Sequence, residues 1–300
     1  MAQLFFYIVS SLLWCFSLLP LRVHYFFARC FSFVLGKLVK YRYSTVITNI
    51  ARAFPDKYTW EVSRIADGFY KYICEMIAEA IWSYTASDEQ IGRLVGVEGS
   101  EEVNKILTNG KNAIVMLGHI GNWELFTGLP ELRKNFNLEM ENKNLVFVYK
   151  RPESKVADML ISSIRNRHQA CSVVEMKSIV RQILTEKNGG NLYFLLCDQS
   201  PDKGTSPIMV DFLHQPTYMI DGPESIARKL SLPVLYCGIA RNGRSGNIAK
   251  FKLITEDASR TEKGEVTRIF AQMLQKDIEQ NPSTWLWSHK KWKRYPNKDY

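Results

Sequence analysis

One histidine at the exit of an apolar run carries the clearest chemistry in this 300-residue sequence. Gly118-His119-Ile120-Gly121-Asn122-Trp123-Glu124 follows Ala113-Ile114-Val115-Met116-Leu117, an uninterrupted apolar run that reads as a buried strand. His119 is therefore expected at a strand end, and Glu124 follows it where a helix should begin. A carboxylate on one imidazole nitrogen fixes the tautomer and leaves the other nitrogen basic. That arrangement can take a proton from an alcohol, with His119 as general base and Glu124 orienting it and stabilising the imidazolium as it forms. A histidine and a glutamate at this spacing are common; the strand-to-helix junction, where α/β folds put ligands, gives this pair its weight.

Other residues could bind or stabilise negative charge near such a base. The backbone amides of Gly121 and Asn122, near a helix start, are candidate oxyanion donors, with helix capping as the alternative for Asn122. Arg151, Arg165 and Arg167 are candidates for phosphate or carboxylate binding, because guanidinium forks match such groups. Arg165 and Arg167 fall at an expected helix C-terminus, where dipole compensation and a solvated face are the alternative. Asp198 ends the apolar run Leu192 to Cys197. It reads either as a substrate-binding carboxylate or as a cap on the turn that follows. No G-x-S-x-G element is present, so direct attack needs no acyl-enzyme. Trp287, His289, Lys290 and Lys291 read as a tail that covers the sheet and touches headgroups.

The elements that must position these groups follow from the hydrophobic pattern. Strand candidates are 113–117, 144–149, 191–197, 208–212, 233–240 and 248–254. Helix candidates are 122–134, 154–167, 176–187, 222–231 and 264–280. The alternation predicts an α/β fold with a largely parallel central sheet flanked by helices. Upstream, Thr59 to Tyr84 has apolar residues at helical spacing, and Ser87 with Gln90 forms a capping-box signature.

The N-terminus has a different character. Ala2 to Leu19 carries no charged side chain and is rich in Leu, Phe and Trp. A helix of that length reaches about 27 Å, barely a bilayer core. No basic residue precedes it and no small-residue cleavage site follows, which favours a retained anchor over a signal peptide. Arg22, Arg29, Lys37, Lys40 and Arg42 come next, interleaved with aromatic residues, and no acid appears until Asp56. This reads as a basic amphipathic helix in the membrane interface, with the bulk of the protein on the cytoplasmic side. Residues 1–20 are thus expected as an anchor, 21–94 as a helical membrane-proximal region and 95–300 as the catalytic α/β domain.

The net charge of +9 and pI near 9.2 favour an anionic partner: a phospholipid headgroup, a phosphorylated sugar, an acidic carrier protein or nucleic acid. Cys15, Cys30, Cys74, Cys171, Cys197 and Cys237 form no CxxC pair and read as small buried hydrophobes in a reducing compartment. The histidines lack zinc-type spacing, and no metal is expected.

With these residues in view, the sequence resembles the late lipid A acyltransferases, the lauroyl- and myristoyltransferases of lipopolysaccharide synthesis, over nearly its whole length. Asn49-Ile50-Ala51-Arg52-Ala53-Phe54-Pro55 is similar to the family's N-L-x-x-x-F-P signature. The His119 to Glu124 segment resembles its form of the H-x4-D/E acyltransferase motif. Tyr149-Lys150-Arg151-Pro152 with Arg165-Asn166-Arg167 resembles its Y-R-P block and downstream arginines, and Asp198-Gln199 its D-Q element. Trp285-Leu286-Trp287-Ser288-His289-Lys290-Lys291-Trp292-Lys293 resembles its closing W-x-H-[RK]-[RK]-[WF]-K. Asp211-Phe212-Leu213-His214 lacks a glycine usual there, and Ile220-Asp221 replaces hydroxyl residues.

The resemblance implies a glycerol-3-phosphate acyltransferase-like fold at the inner membrane. It implies acyl carrier protein as thioester donor, a lipid A precursor (a phosphorylated glucosamine disaccharide lipid) as acceptor, and no further cofactor. A 3-hydroxyacyl group of the acceptor would be esterified. A coenzyme A donor, and a lysophospholipid, aminolipid or mannosylated lipid as acceptor, stay open. The alternative of another class is a non-catalytic basic protein that binds membrane or nucleic acid. A binder has no need of His119 and Glu124, so membrane lipids are expected as partners and nucleic acid is not.

Overall fold

The computed structural model describes residues 2–126, 145–149, 172–186, 189–202, 205–243 and 246–293. Arg151, Arg165, Arg167 and Cys171, the helix expected at 154–167 and most of that at 122–134 lie outside them.

The centre is a sheet of seven strands: β1 (Val95–Glu98), β2 (Ala113–Leu117), β3 (Leu145–Tyr149), β4 (Ser172–Glu175), β5 (Leu192–Leu196), β8 (Val234–Asn242) and β9 (Gly246–Thr255). Their order is β1-β9-β8-β2-β5-β3-β4. Every pairing is parallel except β8 with β9, which form an antiparallel hairpin. The mixed sheet is therefore largely parallel, as expected. The expected strand at 208–212 forms, but as β6 (Ile208–Phe212) it pairs only with β7 (Gln215–Met219) in a separate hairpin. β1, β4 and β7 are too short or too polar to stand out in the sequence.

Uniformly apolar strands are buried on both faces. In β2 all five residues are buried. Ile114 and Met116 pack into one core layer, while Ala113, Val115 and Leu117 pack into the other. The first layer is closed by α3 (Tyr43–Ala53), α4 (Thr59–Trp82), α8 (Gly222–Lys229), α9 (Glu265–Gln280) and the tryptophans of the C-terminal segment. The second is closed by α5 (Asp88–Gly92) and α6 (Ser100–Thr108); α7 (Ile179–Thr185) flanks the first beside β4. The capping box forms as read: the Gln90 amide donates to Ser87 Oγ at 3.2 Å, and the Ser87 amide donates to Gln90 Oε1 at 2.9 Å.

The N-terminus forms a bent helix pair where a single anchor helix was expected. α1 (Ala2–Ser17) is 16 residues long, about 24 Å at 1.5 Å per residue. Leu18 to Pro20 break it, and α2 (Leu21–Phe33), continued by a π-helical turn at Val34–Leu38, leaves at 115°. Among the described residues no single helix is long and apolar enough to cross a membrane, although the bent pair passes that test together. Proline cannot continue a helix past its first turn, and Pro20 fixes the break. α2 packs along α4, where Gly36 lies so close to the Tyr70 ring that a Cβ would stand 2.9 Å from it. The outward face of the pair carries Tyr7, Leu12, Trp14, Leu18, Phe26, Phe27, Phe31 and Phe33, all more than 45% exposed. Cys15 and Cys30 are exposed as well, against the expectation of burial, whereas Cys74, Cys197 and Cys237 are buried.

Candidate active site

β2 and β5 lie side by side with Leu117 opposite Leu196, and the Cys197 amide donates to Leu117 O at 2.8 Å. Parallel register thus brings the residues just beyond the two strands together, at the carboxyl edge where α/β sheets bind ligands. Those residues are His119 and Asp198.

Asp198, not Glu124, is the group on the imidazole. His119 Nδ1 lies 2.6 Å from Asp198 Oδ1, and the His119 backbone amide donates to Oδ2 at 2.8 Å. Trp285 Nε1 also donates to Oδ2, at 2.8 Å. Burial alone would push the Asp198 carboxyl up, but the His119 ring and these N–H donors outweigh it and hold it at about 2. An ionised carboxylate accepts from Nδ1–H, which leaves the lone pair on Nε2. Asp198 is only 3% exposed and both its oxygens are taken, so its expected part as a substrate-binding carboxylate is replaced by one of holding the histidine. Glu124 sits half-buried on a short 3-10 turn, Trp123–Phe126, after the catalytic loop.

The expected oxyanion donors are also corrected. The Gly121 amide donates to Thr284 O at 3.3 Å and the Asn122 amide to Asn247 Oδ1 at 3.4 Å, so both point into the protein. Gly121 has φ +69° and packs against Ile239, leaving no room for a Cβ. Nor does the Asn122 side chain cap a helix. It is fully buried, and its Nδ2 donates to Glu79 Oε2 at 2.6 Å. Glu79, on α4, is itself fully buried, accepts from Tyr25 of α2 at 2.7 Å and pairs with Arg241 of β8 at 2.7 Å. A buried carboxylate needs such partners, and this one ties the catalytic loop to three elements. Sequence reasoning missed it, since an isolated glutamate at the end of an amphipathic helix gives no signal of burial.

The C-terminal segment holds the other side of the site. Three of its side chains hold three consecutive residues: Trp285 binds Asp198, Lys291 Nζ donates to Gln199 O at 3.1 Å, and the Ser200 amide donates to His289 Nε2 at 3.1 Å. Lys291 is 2% exposed and also donates to Tyr218 O at 3.0 Å, while burial pushes its ammonium down to about 8. Burial pushes His289 down to about 4, so it is neutral near pH 7 and accepts a hydrogen bond. Trp287 is fully buried, and Asn49 Nδ2 donates to Trp287 O at 2.8 Å and His289 O at 2.9 Å. The two terminal signatures therefore lock onto each other. Of Trp287, His289, Lys290 and Lys291, expected as a tail that covers the sheet and touches headgroups, Trp287 packs into the core and only Lys290 is exposed.

An apolar groove of about 520 Å³ lies between α2, α4 and this segment. Phe31, Leu35, Phe69, Tyr70, Ile73 and Ile77 form its walls, with Arg42 and His289 at its border. Gln199 borders it as well, and Gln199 Nε2 is 3.1 Å from His119 Nε2. The groove is thus one side chain away from the basic nitrogen. Among the described residues no group of three His, Cys, Asp or Glu side chains is arranged to hold a metal ion.

A largely parallel α/β sheet with a carboxylate-held histidine at its carboxyl edge, near an apolar groove, is the arrangement of an α/β enzyme. The sequence places the protein within that class. The family model described as bacterial lipid A biosynthesis acyltransferase matches residues 1–294, and the chain belongs to that family. It is accordingly an acyltransferase, and its substrates are a lipid A precursor and an acyl donor. No individual curated protein matched significantly.

Proposed function

We propose that this enzyme moves a fatty acyl chain from acyl carrier protein to a hydroxyl of a lipid A precursor, esterifying a 3-hydroxyacyl group. His119 Nε2 takes the proton from the acceptor O–H as its oxygen attacks the thioester carbonyl. The C–O bond forms, the C–S bond breaks, and the thiolate leaves with the proton from Nε2. Asp198 holds the tautomer and balances the imidazolium charge. Glu124 adds a second carboxylate charge on the same loop. Arg151, Arg165 and Arg167 bind acceptor phosphates, and no metal or cofactor is needed. The groove beside Gln199 takes the donor chain; its volume lies in the range of small-molecule sites.

The bent helix pair lays its aromatic face into one leaflet of the inner membrane from the cytoplasmic side. The single observation that carries the reading is the Asp198–His119 pair, whose Nε2 is separated from an apolar groove by the Gln199 side chain alone. Mass spectrometry of lipid A from cells with and without the gene tests it. Loss of one secondary acyl chain, restored by the wild-type gene but not by His119→Ala, is expected. Unchanged lipid A refutes the acceptor assignment. Equal rates with acyl carrier protein and coenzyme A thioesters would refute the donor.

A further inference from the structure

Nε2 of His119, the atom that must meet the acceptor hydroxyl, is already in contact with a side chain. Gln199 Nε2 lies 3.1 Å from it. Because Nδ1 carries the proton toward Asp198, Nε2 presents a lone pair, and Gln199 must present its NH2 group. Nothing about this contact is loose. The Gln199 carbonyl is held by the buried Lys291 ammonium, and its neighbours Asp198 and Ser200 are held by Trp285 and His289. The backbone of Gln199 is therefore fixed, while its side chain borders the groove and is half-buried. A fixed backbone under a side chain that stands between the histidine and the groove is the construction of a gate.

We propose that Gln199 guards the base: its amide occupies the Nε2 lone pair until the acceptor hydroxyl displaces it. The inference rests on His119 being the base. A base one side chain away from a groove that holds thioester would, if unguarded, activate water and release free fatty acid. An amide on the lone pair excludes that water, as closed active sites exclude side reactions. The acceptor hydroxyl replaces one hydrogen bond with another, so displacement costs little. Among the described residues, Asp198 at the β5 end pairs with the ring, His289 in the C-terminal segment acts on it through charge, and Glu124 follows on the same loop.

The test uses the full chain in detergent micelles with a saturated acyl thioester of acyl carrier protein, with and without a lipid A precursor. Gln199→Ala should raise free-acid release in the absence of acceptor by about fivefold or more, the worth of one neutral hydrogen bond, while transfer falls far less than in His119→Ala. Gln199→Glu, of the same shape, puts a carboxylate on Nε2 and favours the imidazolium. The acid limb of its transfer rate should move to higher pH, whereas Gln199→Ala leaves that limb in place. An unchanged hydrolysis-to-transfer ratio in Gln199→Ala, together with an unmoved limb in Gln199→Glu, overturns the proposal. The double variant Gln199→Ala/His119→Ala separates the two readings. If the extra hydrolysis survives without His119, the base assignment fails; if it never arises although His119→Ala abolishes transfer, only the gate fails.

Discussion

Asp198→Asn tests the site most sharply, because the hydrogen bonds around Asp198 dictate which way the new amide must turn. Oδ2 accepts from two fixed donors, the His119 backbone amide and Trp285 Nε1, whereas Oδ1 accepts only from His119 Nδ1. An NH2 group at the Oδ2 position would meet two N–H groups and lose two hydrogen bonds, about 1 kcal/mol each before the cost of stranding buried donors. At the Oδ1 position it meets one donor, and that conflict vanishes if the imidazole moves its proton from Nδ1 to Nε2. Gln199 does not resist, since turning its amide lets its oxygen accept from Nε2–H. The variant should therefore fold with the amide nitrogen at Oδ1 and with a proton on the nitrogen that must be the base.

The same tautomer reversal in a serine hydrolase triad costs about 10⁴ in kcat, and a loss of about 10³- to 10⁴-fold is expected here, with the acceptor KM little changed. Steady-state acyl transfer measures the rate, and ¹⁵N NMR of the imidazole reads the tautomer. A second signature concerns acid stability. Asp198 at about 2, against its ordinary 3.8, contributes about 2 kcal/mol above pH 4. Its pKa is depressed in the folded state, so this contribution is lost as the pH falls from about 4 toward 2, and Asp198→Asn removes that window. Transfer within tenfold of wild type, or a proton still on Nδ1, would refute the reasoning.

Glu124→Gln keeps the shape of the 3-10 turn and should cost about a hundredfold in kcat through loss of charge near the imidazolium; near-normal turnover removes Glu124 from the chemistry. Asn49→Ala strands the carbonyls of Trp287 and His289. It should lower stability by about 2 kcal/mol, read by thermal unfolding in detergent, and an unchanged midpoint would mean the terminal signatures do not depend on each other. Ile73→Trp fills part of the groove. It should depress transfer from long-chain donors at least tenfold more than from short-chain donors, a discrimination of the size that methylenes command in apolar pockets; equal loss for both lengths would place the chain elsewhere.

Several features were readable from residues alone. The run 113–117 announced a strand buried on both faces because it has no polar alternation. His119 at its exit, the Ser87 and Gln90 cap and the largely parallel α/β class followed from local pattern. The two terminal signatures pointed to the family over most of the chain. In each case the physics is local: adjacent residues decide propensity, capping and which faces avoid water.

The rest required the folded chain. Asp198 reaches His119 across 79 positions because β2 and β5 pair in parallel with Leu117 beside Leu196, and two uniformly apolar strands carry no mark of their register. Glu79 is buried only because Tyr25, Asn122 and Arg241 converge on it from three elements. The C-terminal tryptophans and Lys291 read as a surface tail until Asn49 and the Asp198 turn enclosed them. Sequence determined that a histidine stands at a strand exit; only tertiary packing determined which carboxylate meets its imidazole, because that choice depends on distances between residues far apart in the chain.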